Sequence, residues 1–457
     1  MNNKNIIISL FLVIAISSGI FLSGCTNQPG ITPGNQNNIT QENISQNITP
    51  SNITSDNTSL IQYNHSINNT PINAVKFNNI VDANNQFAKD LYSRYKLEDK
   101  NIFFSPYSIS SALAMTYEGA KGRTAEEMQA VLHLPNDKEQ IRNDFVSIYT
   151  EINKADKPYK LTTANALWAQ TNFPFYEDYF NTVNTYYDGK VTNLNFKTDT
   201  ENSRLTINGW VENKTNDRIK NLIPKNVLSV DTRLVLTNVI YFKANWSNKF
   251  SAEDTRDGLF TLNSGDTVIA KMMHQTGQYN YAETNNFQIL EMNYAGNDLS
   301  MLIILPKEDK MNTVDAMFTP EKLIEWKTSL ETKKVIVTMP KFTFESTYEM
   351  SEDLKAMGMP TAFMPFNADF TGMYNQTKTD GENLYISAVI HKTFIEVAEN
   401  GTEAAAATAV IMTSATAMPP TEIPKVFNAN HPFIFIIQQK ATGNILFMGR
   451  LSDPTSK

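Results

Sequence analysis

The sequence predicts an α+β fold, from three observations. Apolar residues at helical spacing dominate the first half of the globular part. Strand-like runs dominate its second half, and no clear linker interrupts residues 76–457. That stretch is therefore read as one large domain. In residues 74–96 the apolar positions Val81, Phe87, Leu91 and Tyr95 repeat at helical spacing. Ser105-Pro106 opens a second helix through Met115 to Ala120, since a proline near a helix start removes an N–H that would be unpaired there anyway. Thr124-x-x-Glu127 reads as a capping box for a short helix ending near Leu134-Pro135. Residues 203–220 read as a polar-faced helix. The strand-like runs are residues 233–243, 299–305, 334–344, 384–398, 433–439 and 445–451.

Composition narrows the function classes. The chain has 457 residues, 41% hydrophobic and 19% charged, with a net charge of −8. An acidic balance without clustered Lys/Arg argues against nucleic acid as the main partner. A single cysteine excludes an intramolecular disulfide and any CxxC-type zinc or redox site. The five histidines, His65, His133, His274, His391 and His431, lie far apart, and no HExxH, GxSxG or P-loop pattern occurs. No metal site or cofactor is implied, and no nucleophile–base constellation suggests an enzyme.

The first 75 residues do not read as fold. Lys4 precedes an apolar run from Ile6 to Leu22, followed by Leu22-Ser23-Gly24-Cys25. A basic start, an apolar stretch and small residues before a cut site describe a secretory signal over residues 1–24. The last four residues resemble the prokaryotic lipobox, in which the cysteine takes a lipid and becomes the first residue. The same run also suits an uncleaved anchor helix with an incidental cysteine. Either way the remainder is expected outside the cytoplasm, on the extracellular face of a membrane. Residues 26–75 hold twelve Asn and seven Thr, with Glu42 and Asp56 as their charged residues. Such a segment buries too little apolar surface to offset chain entropy, so residues 25–75 read as a disordered tether. Asn38, Asn43, Asn47, Asn52, Asn57, Asn64 and Asn68 each open an Asn-x-Ser/Thr acceptor pattern for glycosylation.

Residues 401–418 stand apart, with small side chains and one charge, Glu403. Alanine favours helix, Thr and Val favour strand, and Gly401 offers a hinge. As an extended strand, one face would carry Thr402, Ala404, Ala406, Thr408, Val410 and Met412 and no charge. Such a face slides between existing strands at little steric cost. Composition alone favours a flexible Ala-rich loop or a short exposed helix. Pro419-Pro420 ends the segment.

Several motifs in order resemble the serpin family, across roughly residues 78–455. The hinge Glu399-Asn400-Gly401-Thr402-Glu403-Ala404-Ala405-Ala406-Ala407-Thr408-Ala409 is similar to that of inhibitory serpins. Asn101-Ile-Phe-Phe-Ser105-Pro106-Tyr-Ser108-Ile resembles the family's early helix signature, and Asn238-Val-Ile-Tyr-Phe-Lys-Ala-Asn-Trp246 a central sheet strand. His431-Pro432-Phe433-Ile-Phe and Leu446-Phe-Met-Gly449-Arg450 resemble its C-terminal signature.

The resemblance implies three β-sheets, eight or nine helices and an exposed reactive loop. It implies a suicide inhibitor of serine, or alternatively cysteine, proteases. The protease cuts the loop, forms an acyl-enzyme and is carried away as the loop inserts into the central sheet. The implied partners are a covalently trapped protease and a membrane reached through the lipid at Cys25, on an otherwise monomeric chain. It assigns Ser105, Ser108, Asn238 and His391 to a shutter beneath the opening strands. Lys341, Trp246 and Glu399 fall at a breach where the loop enters. The family's spacing from Gly401 places the reactive bond at Ala415–Thr416, within a window of residues 413–418. A small residue there suits elastase-like or subtilisin-like proteases, and the absence of Lys or Arg from Gly401 to Pro424 disfavours trypsin-like ones. A non-inhibitory serpin, acting as a cell-surface binding or structural protein, is the alternative.

Overall fold

Local capping chemistry sets the first helices. Asn79 accepts a hydrogen bond from the Asp82 N–H at 2.9 Å and so starts α1 (Ile80–Tyr95). After β1 (Ile102–Phe104), Ser105 Oγ accepts the Ser108 N–H at 3.2 Å and opens α2 (Pro106–Gly119). The expected capping box does not form. Thr124 and Glu127 lie inside α3 (Gly122–Val131), whose N-cap residue, Lys121, makes no side-chain cap. Thr124 Oγ1 instead accepts the Asp369 N–H at 2.9 Å. Glu127 accepts the N–H and hydroxyl of Thr361, each at 2.9 Å. Tertiary partners claim the oxygens that a local cap would have used.

A computed structural model describes residues 77–379, 381–402 and 423–456. The described residues belong to one compact unit, Asn69–Lys457. Cys25, the 1–24 and 25–75 segments, hinge residues Glu403, Ala404, Ala405, Ala406, Ala407 and Thr408, and the bond Ala415–Thr416 lie outside the described residues.

The chain continues through α4 (Lys138–Ile152), β2 (Tyr159–Gln170), α5 (Glu177–Tyr187), β3 (Lys190–Leu194) and α6 (Thr200–Lys214). Four strands follow β4 (Leu234–Asn245): β5 (Arg256–Thr261), β6 (Thr267–Glu283), β7 (Phe287–Asn293) and β8 (Leu299–Pro306). Next come α7 (Met311–Met317), α8 (Pro320–Thr328), β9 (Glu331–Pro340), β10 (Phe342–Glu349) and α9 (Ser351–Met357). The last strands are β11 (Ile386–Ala398), β12 (Gly401–Thr402), β13 (Lys425–Asn428), β14 (Phe433–Gln439) and β15 (Ile445–Leu451). Nine α-helices thus occur among the described residues. The expected single strand over residues 334–344 is two strands in different sheets. Pro340 ends β9, and Lys341 turns the chain while its N–H donates to the Lys271 carbonyl at 2.8 Å.

One sheet runs β10-β11-β12-β4-β2-β3. The other strands pair in the order β1-β15-β14-β8-β7-β6-β9-β13, with β5 on β6. In that second network β6 pairs with β9 from Met272 to Tyr281 and joins β7 only through Asn280–Glu283. The strands among the described residues thus form two hydrogen-bonded sheets where three were expected, because the long β6 runs from one group of strands into the other. The six-stranded sheet is covered on both faces, which is why β4 reads as a continuous apolar run. Leu234, Leu236, Ile240 and Phe242 enter the main core. Val235 and Val239 point the other way, against Ile207 and Val211 of α6.

Candidate functional site

The central sheet brings three polar side chains to one height. Asn238 of β4 lies opposite Asn165 of β2 in an antiparallel register, and opposite His391 of β11 in a parallel one. All three are buried, and the start of α2 supplies buried Ser105 and Ser108 beneath them. The Ser105 N–H donates to His391 Nε2 at 3.1 Å, so that nitrogen carries a lone pair. The ring proton therefore sits on Nδ1, which donates to Asn238 Oδ1 at 2.5 Å. The Asn238 amide donates to the Ser108 carbonyl at 2.7 Å, to Ser108 Oγ at 2.6 Å and to Asn165 Oδ1 at 2.5 Å. Ser105 Oγ donates to the Leu446 carbonyl at 2.6 Å. Burial pushes the His391 pKa down to about 3, and the hydrogen bond at Asn238 opposes it by less. The imidazole is thus neutral, with both nitrogens spent inside the cluster, and is not available as a general base.

Above this cluster the sheet parts. β4 and β11 pair directly from Leu234 to Ile240 and from Ile386 to Thr393. At the upper end Gly401–Thr402 occupies the space between them. Gly401 pairs with Asn245 and Ala398, and Thr402 with Ala244 and Val397. Gly401 has φ +150°, and a Cβ there would lie 2.0 Å from the Ala244 carbonyl oxygen, so the position demands glycine. Thr402 is 2% exposed, and its hydroxyl pairs with the Tyr294 hydroxyl at 2.7 Å.

Trp246, Lys341 and Glu399, expected at a breach, lie beside this short strand. Trp246 donates through Nε1 to the Ala398 carbonyl at 3.0 Å and through its backbone N–H to the Asn400 carbonyl at 2.8 Å. Its ring stacks on Tyr294, 4.5 Å between centroids and 13° from parallel. Glu399 receives Lys341 Nζ at 2.8 Å and the Thr255 hydroxyl at 2.8 Å. Burial pushes the Glu399 pKa up, but hydrogen bonds from Lys341, its own backbone and Thr255 outweigh that and hold it below the usual carboxylate range. Sequence reasoning missed Asn165, Tyr294 and Thr255. Each is an ordinary polar residue in its own segment, and only tertiary packing makes it a partner.

Two outcomes test this geometry. Tyr294→Phe removes the partner of a buried hydroxyl, a loss worth about 1–3 kcal/mol. It should speed amide hydrogen exchange at Gly401 and Thr402 while leaving the lower β4–β11 pairs protected. Equal protection in both proteins would dismiss the anchor. His391 gives a pH dependence. Between its ordinary pKa of 6.5 and about 3, the unfolded chain takes a proton that the folded site refuses. Folded stability should therefore fall as pH drops through that window, by about 1.4 kcal/mol per unit from this group, and be unaffected by it above pH 6.5. Urea unfolding of wild type and His391→Gln across pH should show the gap between them shrinking toward acid.

Residues 82–454 match the model of the family described as serpin (serine protease inhibitor). The chain is 46% identical over 376 residues to an uncharacterised serpin-like protein of Thermococcus kodakarensis, covering 82% of this chain and 86% of that one. It is 39% identical over 383 residues to the leukocyte elastase inhibitor of Equus caballus, covering 81% and 98%. Among solved structures, it resembles a highly specific serpin of the insect Tenebrio molitor, with a TM-score of 0.72, 32% identity and coverage of 82% and 98%. Sequence match and fold agree over the same residues: the chain belongs to the serpin family.

Proposed function

We propose that this serpin is a suicide-substrate inhibitor of serine proteases. The single observation that carries the reading is Gly401–Thr402, within the hinge, lodged as a strand between β4 and β11. The next residues are small, with Ala404, Ala406 and Thr408 on the same face as Thr402. Bulky side chains there would cost about 1–3 kcal/mol each through overpacking. The protease's serine attacks the carbonyl carbon of Ala415. The bond to the Thr416 nitrogen breaks, that nitrogen leaves as a free amine, and an ester links the two proteins. Released at its far end, the loop zips downward from Thr402 and separates the remaining β4–β11 pairs. Fourteen residues at ~3.3 Å each move the tethered protease about 46 Å.

The serpin contributes a metastable sheet and no catalytic group. Alanine before the cut, and no Lys or Arg from Gly401 to Pro424, favour an elastase-like or subtilisin-like target. The likeness to an elastase inhibitor points the same way. The chain is read as a monomer held on the extracellular face of the membrane by a lipid at Cys25 and the Asn/Thr-rich tether.

Mixing the chain with elastase- and subtilisin-type enzymes should give a complex that survives boiling in detergent. Mass spectrometry should find a new N-terminus at Thr416. A cut loop with fully active protease and no gain in thermal stability would replace inhibition with a binding or structural role. Thr402→Arg places a charge at a 2% exposed position and should raise the stoichiometry of inhibition several-fold. An unchanged stoichiometry would refute the hinge argument. Separately, Cys25→Ala should move the protein from the membrane fraction to the soluble fraction, and continued membrane association would favour an uncleaved anchor.

A further inference from the structure

The lower end of the β4–β11 seam closes differently from the rest. Down to Val235 and Ala388 the two strands pair residue by residue. Then the register shifts: Ile386 pairs with Leu234, so Ser387 bulges out of the ladder. Its hydroxyl accepts the Arg233 N–H at 3.0 Å. Two residues earlier, the Tyr385 hydroxyl donates to the Asp231 carbonyl at 2.6 Å. The Glu382 carboxylate lies 3.5 Å from Arg233 Nε and also pairs with Lys197. The Arg233 guanidinium is held in place by the carbonyls of Val230 and Thr232, at 3.0 Å and 3.1 Å. Three side chains of residues 382–387 thus clasp residues 231–233.

Strand register sets which inserted residues would meet this clasp. Gly401 faces Asn245 and Thr402 faces Ala244, so each later residue falls one place earlier on β4. On β11 the same two face Ala398 and Val397, with the same descent. Carried downward, Thr408 falls between Asn238 and His391, which already pair with each other. Ile411 falls between Val235 and Ala388, the last pair above the bulge. Met412 then meets Ser387 itself. Residues 413–415 meet Arg233, Thr232 and Asp231 on one side and Ile386, Tyr385 and Leu384 on the other. Ala415, the residue before the proposed cut, therefore reaches its place only after the bonds of Ser387 and Tyr385 have broken.

We propose that these bonds form a latch that brakes the last stage of insertion. The proposal rests on the insertion mechanism given above, and it adds Ser387 and Tyr385 as residues that set how readily insertion is completed. Their two hydrogen bonds carry the latch, and the partly exposed Arg233–Glu382 pair adds little. The latch delays insertion without forbidding it, because the new strand's own backbone can take over the Arg233 N–H and the Asp231 carbonyl. A loop stopped at Ile411 has taken every step above the latch and leaves the tethered protease short of the lower end.

The test uses two synthetic peptides of this sequence: residues 403–411, which end above the latch, and residues 403–415, which run through it. Their affinities are measured for the wild-type chain, Ser387→Ala and Tyr385→Phe. The short peptide should bind all three proteins equally. The long peptide should bind each variant about five-fold more tightly than wild type, the effect of one hydrogen bond that no longer has to be broken. Without peptide, the Arg233 amide should exchange its hydrogen faster in Ser387→Ala, and unchanged exchange there overturns the latch. Equal affinity of the long peptide for all three proteins overturns it too. So does an equal gain for both peptides, which reports a seam loosened along its whole length. Binding of neither peptide to any of the proteins overturns the insertion mechanism and the latch with it. The other adverse outcomes leave insertion standing, so the two failures are distinguishable.

Discussion

The rest of the structure depends on the parallel pairing of β4 with β11. It is complete in its lower part and interrupted above, where Gly401–Thr402 fills the first two steps of a missing strand. Unpaired backbone groups inside a sheet are costly, so a parted sheet is satisfied only by a strand that fits the gap. The chain supplies the first two residues of that strand, Gly401 and Thr402, from past β11. In the proposed mechanism, lower pairing and further insertion would compete for the same edges of β4 and β11. Both edges cannot be paired to each other and to a new strand at once.

Polar side chains hold that competition in check. A cluster of Ser105, Ser108, Asn165, Asn238 and His391 in an apolar core is tolerable only because nearly every donor finds an acceptor. The neutral imidazole bridges the two strands that the proposed insertion would separate, since β4 carries Asn238 and β11 carries His391. Apolar residues at these places would repack after sliding. Hydrogen bonds with fixed partners break together or not at all. Higher up, Trp246 and Tyr294 pack around Gly401–Thr402, and Lys341 pairs with Glu399 just before them.

How much of this was legible in the sequence differs by level. Helices α1 and α2 were readable because their signals are local: apolar spacing, and a serine followed by proline. β4, β8, β11, β14 and β15 were readable as apolar runs. The long β6 and helices α4 and α5 went unread because their polar exposed faces dilute the periodic signal, and β2 because the polar residues Asn165 and Gln170, buried in the fold, interrupt its apolar run. Thr124 and Glu127 matched a capping pattern whose oxygens proved to belong to Asp369 and Thr361. Residues 334–344 passed for one strand because Lys341 bends the chain between sheets without a glycine to mark it.

The sequence by itself determined the family, and its motifs singled out Ser105, Ser108, Asn238, His391, Lys341, Trp246 and Glu399 as the residues the fold brings together. These lie in contiguous motifs, and a motif is legible wherever neighbours in the chain act together. Only the tertiary structure decided that Asn165 joins His391 through Asn238 and that Tyr294 receives Thr402. Those facts depend on strand register between segments tens to hundreds of residues apart. Register is set by the packing of whole sheets, and no single segment carries it.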